Sequence, residues 1–471
     1  MSLLSNYLSQ DQFCVLFEYL TPSQSRFPVK AQLAGFPVCV TLADRVHSDN
    51  DAAPLEISKL YPENVEKLIH YSGKGRDIED FVQFLHQAKS QGQGNLLLLT
   101  GDKLKNHQFG DDGAPRTRYL ESINAVMEAK RHGGFYIGVA LNPFKYTESE
   151  KEAQYLKLHK KIKAGADYVI TQLGYDLSAL QEAQDFLKRN QYSQKMLACV
   201  MPLTLERAQF ILKKKVAGIV IHPHLVSVLK QEKKEGNESH VYKRCALQIL
   251  ICKHLGFSGV HLSACHKPEE QELLERYIEE YRNLDLPACM SLWNTLWKTQ
   301  TGKEFIPPEV NNQAKPFPAK NILKYKYLSF IHGAFFESKV SKSIGKIVFK
   351  SLLWKAPLVS KFILKAELLA KHIAVACESC GQCRLADTLY VCPETCPKGL
   401  ANGPCGGTHL DRCEFGDREC IHSVKVRLAE TVNQTHVLKE NLIPAVPIEV
   451  RGTSSWQNWF DADTKEFSKA P

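Results

Sequence analysis

Eight apolar runs punctuate the first 270 residues, and their spacing restricts the fold more than any other feature. They read FCVLFEYL (13–20), PVCVTLAD (37–44), EKLIHYS (66–72), NLLLLTGD (95–102), FYIGVALN (135–142), DYVITQLGY (167–175), MLACVMPL (196–203) and SGVHLSAC (258–265). Each is short, rich in β-branched and aromatic residues, and bounded by turn formers, as strands are. Amphipathic stretches such as DIEDFVQFLHQAKS and ERAQFILKKK lie between them. Near-continuous apolar strands alternating with helices imply a parallel sheet covered on both faces, hence the α/β class. Eight such units predict a (β/α)8 TIM barrel, with a doubly wound open sheet as the structural alternative. A ninth cluster, AGIVI at 217–221, reads either as an extra strand or as a buried loop in the long seventh crossover.

Barrel enzymes carry their chemistry at the C-terminal ends of the strands. The polar residues predicted there are Glu18, Thr41, His70, Asp102, Asn142, Gln172 and His261, one on each of seven strands. Burying such groups costs free energy unless they are paired or used, so their convergence on one rim marks a site.

With 471 residues and 44% hydrophobic content, the chain can bury one large core and a smaller one. The domains expected are the barrel (1–300), a basic helical connector (301–371), a cysteine-rich metal domain (372–430) and a tail (431–471). No run of about 18 apolar residues predicts a transmembrane segment, and MSLLSNYLSQDQFC lacks the features of a secretory signal. The expected compartment is cytoplasmic. The net charge of +9 is unevenly spread: residues 315–371 hold twelve lysines, no arginine, and only Glu337 and Glu367 as acids. This segment reads first as a connector whose apolar residues dock on a core, with a docking face for an acidic electron carrier as the alternative. No nucleic-acid partner is expected, and oligomerisation stays open.

Eight of the fifteen cysteines fall between 377 and 420: Cys377, Cys380, Cys383, Cys392, Cys396, Cys405, Cys413 and Cys420. In a reducing compartment such a cluster points to metal rather than disulfides, and eight ligands suit two four-thiolate sites. Three cysteines in series with two residues between them, followed by Cys392-Pro393 and Cys396-Pro397, favour two [4Fe-4S] clusters. Structural zinc is the competing assignment.

The strand ends also carry a resemblance. FEYLTP around Glu18, LTGD around Asp102 and AGADYVITQLGYD from Ala164 to Asp176 resemble methylenetetrahydrofolate reductase, a flavin-dependent barrel enzyme. The resemblance implies reduction of 5,10-methylenetetrahydrofolate to 5-methyltetrahydrofolate with hydride from reduced FAD, a step of one-carbon metabolism leading to methionine. Glu18 would then be the acid that protonates the departing nitrogen, which requires a pKa raised by burial. Asp102, lying between flavin and pterin, would bind pterin nitrogens and stabilise the developing cation. Gln172 would contact folate, Thr41 and His70 the isoalloxazine region, and Lys161 the cofactor phosphates. The residues 320–425, with GPCGG from Gly403 to Gly407, resemble the C-terminal cysteine domain that accompanies some of these enzymes.

Departures from the family pattern cluster on the cofactor side. Thr100 replaces arginine, Asn142-Pro143 replaces Tyr-Pro, and Gln154 and Lys157 stand where acidic and amide residues are expected near the flavin adenosine. Glu206 stands where nicotinamide-using relatives carry a stacking phenylalanine, and a carboxylate offers no apolar face. The electron donor is therefore either an electron-carrier protein acting through the cysteine domain or NAD(P)H. Two other functions fit the sequence: a flavin- or folate-binding scaffold with structural zinc that needs a partner, and a one-carbon transferase using another carrier.

Overall fold

The computed structural model describes residues 2–19, 30–45, 51–103, 119–311, 317–351, 354, 356–416 and 418–460. Leu20, Thr21 and Pro22 of the first motif, Lys315 and Lys355 of the basic segment, and the tail from 461 lie outside the described residues.

All eight anticipated strands form. They are β1 (Cys14–Tyr19), β3 (Phe36–Leu42), β4 (Lys67–Ser72), β5 (Asn95–Leu99), β6 (Tyr136–Leu141), β7 (Tyr168–Thr171), β8 (Lys195–Val200) and β9 (Gly259–Leu262). Each pairs in parallel with the next, and β1 pairs with both β3 and β9, so the sheet closes into a (β/α)8 barrel. A two-residue strand β2 (Gln32–Leu33), which the sequence reading missed, adds an antiparallel hairpin to β3. The AGIVI segment forms no strand; it is a loop between the Leu205–Lys214 and Pro223–Glu235 helices.

Strand periodicity of two decides what lines the interior. Cys14 and Leu16 of β1, Cys39 of β3, Leu68 of β4, Leu97 of β5, Tyr168 and Ile170 of β7 and Leu197 of β8 form one buried cluster. Leu4 and Leu8 of the Leu3–Ser9 helix join it and plug the N-terminal end. Gly138 on β6 is required here, because a Cβ would come within 2.4 Å of the Tyr168 ring. Continuing the same alternation, Glu18, Thr41, His70, Gln172, Cys199 and His261 occupy inward positions at the opposite end. The fold therefore delivers polar groups to one mouth of the barrel simply by extending the inward register past its apolar layers.

The cysteine-rich segment packs directly on the barrel. The Glu148–Lys163 helix, which reads as a lysine-rich surface helix, is covered by the Ile421–Thr431 and Thr435–Glu440 helices, and a small core of Ala153, Leu156, Leu389, Val426, Ala429 and Leu438 joins them. Around that core the seam is polar. Glu121 accepts bonds at 3.1 Å from the backbone N–H groups of Ala401 and Asn402 and from the Asn402 side chain, and pairs with Lys157 at 3.1 Å. Lys157 also donates to the Gly403 carbonyl at 3.1 Å, Gln154 to Cys405 at 2.9 Å, and Lys145 to Gly406 at 3.0 Å. Five barrel side chains, counting Asn142 at 2.8 Å from the Gly406 carbonyl, thus hold the backbone of residues 401–406.

Residues 431–460, read from sequence as tail, are integral to this packing. Ile443 exchanges bonds of 2.7 Å with Asn402 in both directions. Further on, the buried carboxylate of Glu367 on the Pro357–Val375 helix receives the Ser454 hydroxyl at 2.6 Å and the Lys371 ammonium at 2.7 Å.

Burial alone would push the Glu121 carboxyl up, but the Lys157 ammonium and the Asn402 donors outweigh it and hold the group below the ordinary range. Glu121→Gln leaves Lys157 buried without its counter-charge, so we expect a loss of about 3–5 kcal/mol in unfolding free energy at neutral pH. A depressed carboxyl contributes above its unfolded pKa of about 4.3 and loses that contribution as pH falls through its folded value. The gap between wild type and variant should accordingly narrow below about pH 4 in denaturant titrations.

Candidate active site

At the barrel mouth, Thr41 Oγ1 and His261 Nε2 lie 3.1 Å apart. Cys199 Sγ stands 3.6 Å from His261 Nδ1, and Ser263 Oγ is 3.4 Å from the same nitrogen. The His70 ring centre lies 5.8 Å from that of His261. Burial, reinforced by His261, pushes the His70 imidazole down to about 3, so His70 is neutral. Burial also lowers His261, while the Glu18 carboxylate pulls it upward. Burial pushes the Cys199 thiol up to about 12, with the Glu18 charge adding to the effect, so Cys199 is a neutral thiol. Glu18 itself is half-buried, at the end of β1 opposite Thr41 in register. Its charge acts on three of its neighbours, Cys199, His261 and His266, which places it in this group.

His70 Nε2 is buried and, among the described residues, has no hydrogen-bond partner. Buried polar atoms are nearly always satisfied, so an orphan at the mouth of a barrel marks a place for a ligand atom.

The remaining rim residues separate into different environments. Asn142 is a clamp: its amide donates to the Gly218 carbonyl at 2.9 Å as well as to Gly406, bridging the 217–221 loop and the cysteine module. Gly218 adopts φ +76°, and a Cβ there would sit 2.5 Å from the Gly406 carbonyl. Gln172 is half-buried beneath the same loop, with its Nε2 3.5 Å from the Ala217 carbonyl and its Oε1 accepting from Leu173 N at 2.9 Å. Asp102 stands exposed at the edge where barrel and module meet. Crowding by protein on one side and the neighbouring Glu414 carboxylate raise its carboxyl, against the pull of Lys398 and Lys74.

Lys161 is not at the rim. It is buried in the wall, donates to the Ala140 carbonyl of β6, and is pushed down to about 7 by burial and by Lys157. Its ammonium is thus engaged by a wall carbonyl, apart from the polar group at the mouth. Gln154 and Lys157, expected near a flavin adenosine, instead hold the Gly403–Cys405 backbone. The polar groups at the mouth thus fit the isoalloxazine half of a flavin, whereas the helix face assigned to the adenosine is filled by the chain itself.

Glu206 lies exposed in the first turn of the Leu205–Lys214 helix and pairs with Lys233. Lys233 holds its carboxyl below the ordinary range. The aromatic shelf is absent at that position, although Phe210, one turn further on, is exposed.

The cysteines fall into two groups of four. Cys377, Cys380, Cys383 and Cys392 line one cavity together with Lys371 and Arg384. In the second group, Cys405 lies within electrostatic reach of Cys396, Cys420 of both, and Cys413 of Cys396. Among the described residues, no three His, Cys, Asp or Glu side chains stand close enough to hold an ion as they are placed. Burial pushes the thiols of Cys380 and Cys405 up to about 11, and those of Cys392 and Cys420 to about 12. Only a bound cation would supply the charge that makes such thiols thiolate ligands. The second group touches the barrel: the Cys405 thiol is 3.3 Å from Glu414, whose carboxylate pairs with Lys398 at 2.6 Å, and Lys398 donates to the Gly101 carbonyl beside Asp102 at 2.7 Å. The spacing of the eight cysteines was visible in sequence; Glu414 and Lys398 as the link to the rim were not, because nothing in CPKG or CEFG distinguishes them from ordinary surface charges.

Comparison with known proteins agrees with this architecture. Residues 11–274 match the family described as methylenetetrahydrofolate reductase, and residues 356–448 match the methylene-tetrahydrofolate reductase C terminal family. Methylenetetrahydrofolate reductase 1 of Schizosaccharomyces pombe is 24% identical over 224 residues, covering 47% of this chain and 36% of that protein. A probable methylenetetrahydrofolate reductase (NADPH) of Caenorhabditis elegans is 25% identical over 200 residues, covering 41% and 29%. The match thus spans about a third of the length of these curated relatives. An uncharacterized protein from Clostridium thermocellum that binds two copies of 5-methyl-5,6,7,8-tetrahydrofolic acid superposes with a TM-score of 0.42 at 14% identity, over 60% of this chain and 99% of the other, too distant to bear on the site. With more than half of its length matched by the first of these families, the chain belongs to the methylenetetrahydrofolate reductase family.

Proposed function

We propose that this chain catalyses flavin-dependent reduction of 5,10-methylenetetrahydrofolate to 5-methyltetrahydrofolate, with electrons delivered through metal clusters held by the two cysteine quartets. The observation that carries the reading is the inward-facing group of Glu18, Thr41, His70 and His261 at one barrel mouth, with His70 Nε2 left unsatisfied. A flavin bound at this mouth would supply the hydride, and FAD is the form that the family resemblance implies.

The chain's own residues would do the rest. Glu18, when protonated, can place a proton on the nitrogen that leaves the bridging methylene, opening the ring to the iminium that accepts hydride. Asp102 offers acceptor oxygens to pterin N–H groups, and Gln172 offers both a donor and an acceptor to the other pterin edge. Thr41 and neutral His70 would position the flavin ring, with Thr41 fixed by its 3.1 Å contact to His261. Cys377, Cys380, Cys383 and Cys392 would hold one [4Fe-4S] cluster, and Cys396, Cys405, Cys413 and Cys420 the other. Contact of the second quartet with the Glu414–Lys398 pair sets it nearest the rim, so electrons would pass through it last.

Glu18→Gln should retain flavin yet nearly abolish reoxidation of reduced flavin by methylenetetrahydrofolate, a loss on the order of 10²–10⁴-fold by stopped-flow absorbance. Unchanged reoxidation would remove Glu18 from the role of acid. Asp102→Asn, in the same assay, should slow reoxidation and weaken folate binding together.

Anaerobically purified protein should carry about eight irons and about eight sulfides per chain, and Cys405→Ser should lose about half of each. Zinc without iron would instead support the scaffold reading with a structural metal. Chromatography of the released flavin tests the adenosine face directly: a mononucleotide would mean that the Gly403–Gly406 loop excludes adenosine. Reduction by NADH or NADPH alone, in protein lacking iron, would overturn the cluster route and point to Phe210 as the exposed ring available to a nicotinamide.

A further inference from the structure

The basic connector does not bury its apolar residues as its sequence pattern predicts. On the Ala319–His332 helix, where no residue is buried, Leu323, Tyr327 and Phe330 recur at helical spacing and are 68%, 62% and 73% exposed. Val340, Ile344 and Ile347 repeat this on the Lys339–Lys350 helix, at 69%, 56% and 75%. The Pro357–Val375 helix buries Ile363, Glu367 and Val375 but leaves Leu358, Phe362, Leu369 and Ile373 between 69% and 83% exposed. The side opposite each stripe is accounted for. Gly345 lies against the Phe460 ring, Phe349 stacks on Phe460 at 5.4 Å, and Tyr325 meets Tyr390 at 5.8 Å. Each of these three helices therefore docks by one face and, among the described residues, presents an uncovered apolar stripe on another. Apolar residues exposed in such numbers, rather than singly, mark an interaction site.

The charge around these stripes identifies the occupant. Lys320, Lys324, Lys326, Lys339, Lys361 and Lys365 are exposed, as is Lys346. The only two acids of the segment are both engaged, Glu337 by Lys342 at 2.7 Å and Glu367 by Lys371 at 2.7 Å. A second copy of this chain would oppose lysines to lysines. Protein interfaces are enriched in arginine and depleted in lysine, the reverse of twelve lysines with no arginine. Long lysine stems beside aliphatic and aromatic side chains instead suit an anionic lipid surface, where the stems lie along the acyl boundary and the ammonium groups reach the headgroups. Among the described residues no helix is long and apolar enough to cross a membrane, so these helices would lie in the interface plane.

We propose that the three connector helices form an interfacial docking surface for anionic membranes. The full chain should cosediment with vesicles of phosphatidylcholine and phosphatidylserine, bind vesicles of phosphatidylcholine alone at least about tenfold more weakly, and release as salt rises from about 0.1 M to about 1 M. Ile344→Glu combined with Ile347→Glu, both on exposed positions, should lower binding by at least about tenfold with the circular dichroism unchanged. Lys339→Glu combined with Lys346→Glu should remove the preference for anionic lipid while leaving the apolar stripe in place. Failure to cosediment, equal binding to both vesicles, or binding unaffected by either pair would overturn the proposal. A concentration-dependent dimer in sedimentation velocity that the Ile344→Glu/Ile347→Glu pair dissolves would overturn it too, assigning the surface to a second copy. None of these readouts involves flavin, folate or metal, so the outcome stands apart from the proposed reductase activity.

Discussion

The contact on which the rest of the molecule depends is the buried pairing of Glu121 with Lys157 beneath residues 401–403. Two charges at 5% exposure or less are costly to desolvate, and each repays that cost only if its remaining hydrogen-bonding capacity is used. Here the module uses it: backbone N–H groups of Ala401 and Asn402 go to the carboxylate, and the Gly403 carbonyl goes to the ammonium. Remove the module and the barrel would expose an ion pair built for burial. Remove the barrel and a glycine-rich loop would lose the donors that hold its carbonyls. Neither part is a finished fold without the other, so the cysteine-rich segment is better described as the cap of this barrel than as an appended domain.

The barrel was legible from sequence because its signal is repeated. Eight apolar runs at regular intervals give a pattern in which any one strand boundary can be wrong by a few residues without changing the answer, and β7, four residues long against nine anticipated, is such a case. The inward group at the mouth followed from the same period of two. What could not be read was which lysines are surface residues. Gln154, Lys157, Lys160 and Lys161 sit in a stretch, AQYLKLHKKIKAG, that has the composition of a solvated helix, yet all four are buried, the first three against a segment about 250 positions further along the chain and Lys161 against β6. Local pattern carries no information about a contact at that separation. The opposite error arose in the connector, whose alternation of lysine with leucine, isoleucine and phenylalanine suggested a docked face but whose apolar stripes remain outside.

The exchange at the Glu148–Lys163 helix connects these observations to chemistry. Where the family resemblance places adenosine contacts, this chain has an amide and an amine that bind its own backbone carbonyls. These two side chains thus fasten the cysteine module to the barrel, and their polar ends are occupied by the chain itself. Thr41, His70 and His261 take no part in that seam, since they come from β3, β4 and β9, two or three strands around the barrel from β6.

Placement of Cys405 follows from the same carbonyl capture. Its own carbonyl is bonded by Gln154 and that of the next residue by Asn142 and Lys145, so its thiol is fixed relative to the barrel through rigid backbone rather than through a mobile side chain. The Glu414–Lys398 pair then spans from that thiol to the Gly101 carbonyl next to Asp102. The electron transfer and proton placement proposed for this chain would both demand fixed distances, which a flexible linker between barrel and module would not supply. The sequence replaces such a linker with buried hydrogen bonds, and the polar residues that look misplaced in a helix interior are the ones that set where the cysteines stand.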